Sequence, residues 1–437
     1  SLCASRTTMK EQSPVIRYFC TAGSGMEDFL VQEVGRKLSA TDVERIPGRV
    51  FFSTAARVSA VAQLRSAERL FLLIQRGAPI AVPANEAKAA GAVQQCVLAD
   101  PDMWTNALRT WSQLKAELED AKGQGQKRKR EEGEKCGKTG EESARAPSGL
   151  EPPTFRVSCR CSGAVARRLG SQALSRVIGG AIRQQLGWRA DLREPNLEVN
   201  MSLSDDHHVL GIPLLRQPLA TRRYLRHTGL RSTIAWALAS LANIKEGCVV
   251  VDPMCGVGTI LLEAAQECPN SYFLGLDADA CQLKRAAENV ALAQLQARVQ
   301  LLVVSVPADI PFPSGSIDML VCDVPFGRKF SCGANMSDGL LEIVGEMERV
   351  LCAGGTLVLL LSLQLSSLLK KKIDPSAHLP PHRRSPDTAS QAQTCPSHVP
   401  AACAPQPLGS LRLRSVHRVS LGNTDALIHT YTKAQST

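Results

Sequence analysis

The segment VVVDPMCGVGT ends an apolar run on Asp252 and turns through Gly256 and Gly258. Two glycines two residues apart let a backbone come close to a ligand and then turn sharply into a helix. The pattern is not G-x-G-x-x-G, because Leu261 stands where the third glycine would be. No basic residue sits in the turn either, so a pyrophosphate is not its natural ligand. Asp252 places a carboxylate beside the turn, which suits a ligand carrying an amino group. Nineteen residues beyond Gly258, FLGLD sets Asp277 at the end of the next apolar run. An acid at about that spacing in a βαβ unit pairs with ribose hydroxyls. An amino-group acid, a glycine turn and a ribose acid together fit S-adenosyl-L-methionine better than NAD.

A third carboxylate follows in CDVPFGRKF, after the apolar run IDMLV. The surrounding DMLVCDVPFG resembles the [D/N]-P-P-[Y/F] motif of amino-methyltransferases, with Val324 in place of the first proline. A base's exocyclic amine is a poor nucleophile because its lone pair is drawn into the ring. Asp323 can accept an amine hydrogen and later take the proton. Pro325 can hold a nearby carbonyl as a second acceptor. Phe326 can stack on the base and orient it for in-line attack. Methyltransferases of this class often hold the adenine with an acid after the third strand. Here that position falls on Val306, and the nearest carboxylate is Asp309.

Such residues need an open, mostly parallel sheet, with the ligand at the carboxyl ends of its strands. The sequence supplies one. CVVVD, SYFLGLD, RVQLLVVSV, IDMLVCD and GGTLVLLLS are short apolar runs separated by helical periodicities, the pattern of a parallel sheet covered on both faces. HRVSLGNTDALIHTYTK closes the chain as a hairpin around Gly422 and Asn423. LRSTIAWALASLANIKEG, before the sheet, reads as a helix. Upstream, VIRYFCTAGSGMEDFLVQEVGRKL, RVFFSTA and VSAVAQLRSAERLFLLIQRG suggest a β-α-β-α-β order and a ferredoxin-like α+β unit. TFRVSCRCSG alternates, with Arg156 and Arg160 on its polar face. DPDMWTNALRTWSQLKAELEDA is a helix after a start signal.

At 437 residues the chain exceeds one compact core. Its net charge of +10 is uneven. Residues 154–244 hold 13 Arg, no Lys and five acids, whereas residues 248–362 hold six basic and 13 acidic residues. An arginine-rich segment beside an acidic one suggests nucleic-acid docking by the first and chemistry by the second. The 15 Cys show no C-x-x-C, and no histidine pair has zinc-finger spacing, so no metal site is expected and a reducing compartment is. His207 and His208 read as turn residues. Lys127, Arg128, Lys129 and Arg130 form a compact cluster that reads as a nuclear-import signal. No membrane span is expected. The first residue is Ser and not Met, so the natural start is expected to lie upstream.

From about Ile16 to Lys433 the chain resembles the THUMP-domain RNA methyltransferases. RYFCTAGSGMEDFL, FRVSCRCSG, GLRSTIAWALASLA, DPMCGVGTILLEAA, DVPFG and VSLGNTDALI carry the match in order. The resemblance implies a ferredoxin-like domain at 15–105, a THUMP RNA-binding domain at 106–217 with a disordered insert about 119–151, and a linker helix region at 218–245. A Rossmann-like class I methyltransferase domain then spans 246–435, with a disordered insert about 363–408. It implies S-adenosyl-L-methionine as cofactor, held by Asp252, Gly256, Gly258, Thr259 and Asp277, with Val306 at the adenine position. Arg231 and Thr233 would help close the pocket. It also implies Asp323, Pro325 and Phe326 on the guanine amine, and N2-methylation of guanosine in a structured RNA. That RNA would be U6 spliceosomal snRNA, with a role in splicing in the nucleus, or alternatively a tRNA. Arg156, Arg160, Arg222, Arg223, Arg328 and Lys329 would meet the RNA. The implied partner is the small zinc-binding multifunctional methyltransferase subunit. Adenine-N6 or protein-glutamine methylation is a second enzymatic reading. A catalytically inactive RNA-binding adaptor is the reading from another class.

Overall fold

The computed structural model describes residues 14–81, 83–131, 152–304, 310–325, 336–373 and 409–435. The chain divides into two compact units, one mostly before Leu219 and one mostly after Ala220.

The first unit begins with β1 (Ile16–Thr21), α1 (Glu27–Leu38), β2 (Thr41–Ile46), β3 (Arg49–Thr54), α2 (Val58–Val61) and β4 (Arg69–Gly77). It continues with α3 (Glu86–Leu98), α4 (Pro101–Glu131), β5 (Thr154–Cys161), α5 (Gly163–Arg168), α6 (Gly170–Leu186), β6 (Arg189–Ala190), β7 (Leu197–Leu203) and β8 (His208–Pro213). Its strands form one sheet in the order β2-β3-β1-β4-β8-β7-β5-β6. The antiparallel ladder between β4 and β8, from Phe71 opposite Pro213 to Gly77 opposite His208, joins the two halves expected as separate domains. β2 is an addition to the expected order. TDVERI is too polar to read as a strand, and only its pairing with β3 at the sheet edge makes it one.

Two large apolar clusters and a small one, of Phe19, Phe51, Phe71 and Val209, fill this unit; the large ones differ in what they gather. Phe155, Trp104 and Trp188 meet edge-on in one, and the Trp104 indole donates to the Val97 carbonyl at 2.9 Å. Tyr18, Leu30, Phe52, Leu114 and Leu118 lie in the other. α4 thus serves both clusters, through Trp104 near its start and Leu114 and Leu118 further on. It runs to Glu131, into the stretch expected to be disordered from about 119. Lysine, glutamine, arginine and glutamate are good helix formers and can prolong a helix whose first turns are packed.

The second unit holds α7 (Ser232–Ala242), β9 (Val249–Asp252), α8 (Thr259–Glu267), β10 (Tyr272–Asp277), α9 (Ala280–Ala293) and β11 (Val299–Val303). β12 (Ile317–Asp323), α10 (Met336–Val350), β13 (Leu351–Ser362), α11 (Leu363–Ile373), β14 (Leu411–Ser420) and β15 (Asp425–Lys433) complete it. The sheet order is β11-β10-β9-β12-β13-β15-β14. The first five strands are parallel; β15 pairs antiparallel to β13 and to β14. The chain moves outward from β9 through β10 to β11, then crosses back to place β12 on the other side of β9. That reversal opens a crevice at the carboxyl ends of β9 and β12.

The apolar strands explain the layering. Val250, Val251, Leu320, Val321, Leu357 and Leu359 have essentially no exposure, as expected of strands covered on both faces. The Asp318 carboxylate accepts from the Val249 N–H at 2.8 Å and pins the start of β9 to its neighbour. α7, expected in a linker region, belongs to this unit and buries nine of its residues. α11 occupies the first part of the expected disordered insert at 363–408, with Leu365 and Leu369 in the core.

Candidate active site

Asp252 and Asp323 end β9 and β12, the two strands that flank the crevice. Asp277 ends β10 on the other side of β9. Parallel pairing brings all three carboxylates to one edge of the sheet, because each is the last residue of its strand.

The turn after β9 has the backbone that its glycines suggest. Gly256 (φ +53°) and Gly258 (φ +79°) both lie in the left-handed region, and Gly258 caps α8. A side chain at 256 would meet nothing within 4 Å, so the backbone there faces open space. The turn is held from below: Cys255 N–H donates to the Leu276 carbonyl, and Gly258 N–H to the Cys255 carbonyl, both at 2.8 Å. Asp277 accepts from Gly256 N–H on one oxygen and from Asp279 N–H on the other, each at 2.8 Å. It therefore orients the turn, and its half-buried carboxylate keeps lone pairs free for a ribose.

Asp252 is almost fully buried and accepts a hydrogen bond from Met254 N–H at 3.2 Å. Burial pushes its carboxyl well above the usual range, opposed by the Met254 N–H, while the negative charges of Asp323 and Asp277 push it further up. A cationic amino group placed there would favour the ionised form. Thr259, the first residue of α8, is also buried, and its hydroxyl has no hydrogen-bond partner among the described residues. A buried unpaired hydroxyl at a helix N-terminus, an under-satisfied buried acid and a glycine turn open to space fit S-adenosyl-L-methionine.

Burial alone raises Asp323 to about 6. Its side chain has no hydrogen bond among the described residues, so both oxygens remain available as acceptors. Val324 donates its N–H to the Leu360 carbonyl at 3.2 Å and packs into the core. Pro325 follows, half-buried. Phe326, Arg328, Lys329 and Val306 lie outside the described residues.

The arginines separate. Arg156 and Arg160 stand exposed on β5 of the first unit, and Arg156 pairs with Glu198 at 2.7 Å. Arg223 is exposed. Arg222 is not available to RNA: it is buried, and its guanidinium makes hydrogen bonds of 2.8 and 3.3 Å to the fully buried Glu263. Glu263 also accepts from the Tyr224 hydroxyl at 2.6 Å. The apolar face of α8 carries that acid inward, and Arg222 follows it. Arg231 caps α7 with its carbonyl and exposes its side chain, while Thr233 is buried.

Asn289 is a residue that the sequence reading missed. From α9, its side-chain oxygen accepts from Arg226 and His227 N–H at 2.8 and 2.9 Å, and its amide donates to the carbonyls of His227 and Val257. It clamps the loop before α7 to the glycine turn. The available signal was an asparagine on the otherwise apolar inner face of an amphipathic helix.

Residues 220–374 match a family model described as UPF0020, the RMKL-like methyltransferase domain. The chain is 42% identical over 487 residues to the cattle (Bos taurus) U6 snRNA (guanine-N(2))-methyltransferase THUMPD2, covering 96% of each protein. The chain belongs to the THUMP-domain methyltransferase family. A second cattle relative, tRNA (guanine(6)-N(2))-methyltransferase THUMP3, is 31% identical over 56% of this chain and 50% of its own length. The crystal structure of TrmN from Thermus thermophilus shares the fold, with a TM-score of 0.63 at 22% identity, covering 96% of this chain and 99% of that one. The protein is accordingly an S-adenosyl-L-methionine-dependent methyltransferase. Among the described residues no helix is long and apolar enough to cross a membrane.

Proposed function

We propose that this protein transfers a methyl group to the exocyclic N2 of a guanosine in U6 snRNA. The observation that carries the reading is Asp323. It stands at the switch point of the sheet, free of other hydrogen bonds among the described residues and beside the acid and turn that suit the cofactor. Bound S-adenosyl-L-methionine supplies an electrophilic methyl group. Asp323, ionised at neutral pH with its pKa of about 6, accepts one amine hydrogen and holds the nitrogen lone pair toward that group. It then takes the proton that the nitrogen loses. Asp252 holds the amino group of the cofactor, and Asp277 its ribose. The choice of U6 snRNA over tRNA rests on the relative that matches almost the whole chain. The intact set of Asp252, Gly256, Gly258, Asp277 and Asp323 speaks against an inactive adaptor.

A nuclear site and a role in splicing follow from that substrate, and the Lys127–Arg130 cluster supports nuclear import. The small zinc-binding methyltransferase subunit is the partner this reading includes. β11 is an edge strand with Leu302 and Val303 exposed, a suitable place for such a subunit to add a strand.

The test is methyl transfer by the purified protein, with and without that subunit, to U6 snRNA and tRNA transcripts, followed by mass spectrometry of the nucleosides. N2-methylguanosine in U6 snRNA is expected. Transfer only to tRNA, or to neither RNA in the presence of the subunit, would overturn the reading.

A further inference from the structure

The residues just before α7 form a strap across the glycine turn. Asn289 of α9 ties the two together. Its side-chain oxygen accepts from Arg226 and His227 N–H at 2.8 and 2.9 Å. Its amide donates to the His227 carbonyl at 2.9 Å and to the Val257 carbonyl at 3.0 Å. Asn289 has no exposure, and a buried amide is costly unless its bonds are made. Here both donors and the acceptor are used. Glu288, next on α9, holds the same two strap residues nearer the surface, His227 Nε2 at 2.8 Å and Arg226 at 3.8 Å. Further along, Gly229 leans on the turn itself. A Cβ there would stand 3.0 Å from Cγ2 of Val257 and 3.6 Å from the unpartnered Thr259 hydroxyl.

Val257 lies between the two glycines of the turn. Its carbonyl accepts from Asn289, and the N–H of the same peptide, on Gly258, donates to the Cys255 carbonyl at 2.8 Å. A peptide beside glycine rotates at little cost, because glycine accepts φ of either sign. Bonds at both ends hold this one in a single orientation, with Gly258 at φ +79°. We propose that Asn289 is a positioning residue for S-adenosyl-L-methionine. Through the Val257 carbonyl and the strap it keeps the glycine turn in its binding form, and residues 226–229 are a wall of the cofactor site. The side chain must be an amide. An aspartate of the same shape could still accept from Arg226 and His227, but it would turn lone pairs on the His227 and Val257 carbonyls. Asn289 acts on the turn and not on the reacting atoms, so it sets cofactor affinity and leaves the transfer step to Asp323.

The test measures S-adenosyl-L-methionine binding to the full chain by calorimetry, beside steady-state methyl transfer to a U6 snRNA transcript. Asn289→Asp is expected to bind the cofactor at least about tenfold more weakly. The KM for the cofactor should rise by the same factor, with kcat at saturating cofactor within about threefold and the KM for RNA unchanged. Gly229→Val keeps every group that Asn289 bonds but pushes the strap off the turn, at an exposed position. It should weaken cofactor binding about tenfold as well. His429→Gln disturbs the core of the same unit on β15 and should leave cofactor affinity within about twofold. Wild-type affinity in both strap variants overturns the proposal. So does an equal loss in His429→Gln, or a fall in kcat with cofactor affinity unchanged. If Asn289→Asp does not give a cooperative melting curve, Gly229→Val decides by the same two affinity outcomes. If wild type methylates no U6 snRNA, the functional reading fails, and calorimetry still decides the role of Asn289.

Discussion

Val324 donates its backbone N–H to the carbonyl of Leu360 at 3.2 Å, one rung beyond the Asp323–Leu360 pairing that ends β12. The residue after the acceptor carboxylate is therefore still part of the sheet. A proline there, as in the motif this segment resembles, has no N–H to give. Val324→Pro should leave the Leu360 carbonyl without its partner at a cost of about 1–3 kcal/mol. We expect a melting temperature lower by several degrees and a turnover number reduced about tenfold or more, with affinity for S-adenosyl-L-methionine unchanged. Val324→Ile keeps the N–H and should restore both. Wild-type turnover in the proline variant would show that the rung does not position Asp323.

As the proposed proton acceptor, Asp323 should set the pH dependence of the reaction. Its pKa of about 6 means that the acceptor is lost as pH falls through that value. Single-turnover rates with bound RNA should drop about tenfold for each pH unit below 6 and level off above about 7. Asp323→Asn should fall by at least about a hundredfold and lose this dependence, while RNA binding stays intact. A wild-type rate that is flat from pH 5 to 8 would remove Asp323 from the proton-accepting role.

How much of this was legible in the sequence depends on the range of the cause. The placement of Asp252, Gly256, Gly258 and Asp277 was readable because strand, turn and helix follow one another within one βαβ unit. Asp323 was readable because an apolar run must end where a parallel sheet meets its ligand. Arg222 was misplaced for the opposite reason. Its partner Glu263 lies on a different element, and nothing local says that a buried acid will turn that guanidinium inward. Asn289 was missed likewise, since its partners Arg226, His227 and Val257 are distant in sequence. The polar β2 became a strand only by pairing with β3.

His429 offers a stability test in the same unit. It is fully buried on β15, bonded through one ring nitrogen to the Ser366 hydroxyl at 2.9 Å and through the other to the Tyr431 hydroxyl at 2.8 Å. Burial, with Lys370 nearby, lowers its pKa from 6.5 to about 4. The unfolded chain takes up a proton below about 6.5 and the folded chain only near 4. Its contribution is thus present above about 6.5 and lost progressively as pH falls toward 4, by about 1.4 kcal/mol per pH unit. Urea unfolding at pH 7 and pH 5 should show a larger loss for wild type than for His429→Gln. Equal losses would mean that the imidazole is protonated in the folded protein.

The Arg222–Glu263 pair separates structure from RNA docking. Both side chains are buried and Tyr224 adds a third hydrogen bond, so removal of either charge strands the other in a medium that solvates it poorly. Glu263→Ala should cost about 3–5 kcal/mol in urea unfolding, and Arg222→Met a similar amount. The double variant Arg222→Met/Glu263→Leu removes both charges together and should recover most of the loss, because the desolvation of two ions is then no longer required. Under conditions where it is folded, Arg222→Met should bind RNA with the wild-type salt slope, since a guanidinium turned onto Glu263 neutralises no phosphate. A flatter slope in this variant, with stability unchanged, would return Arg222 to the RNA surface and place the support of α8 elsewhere.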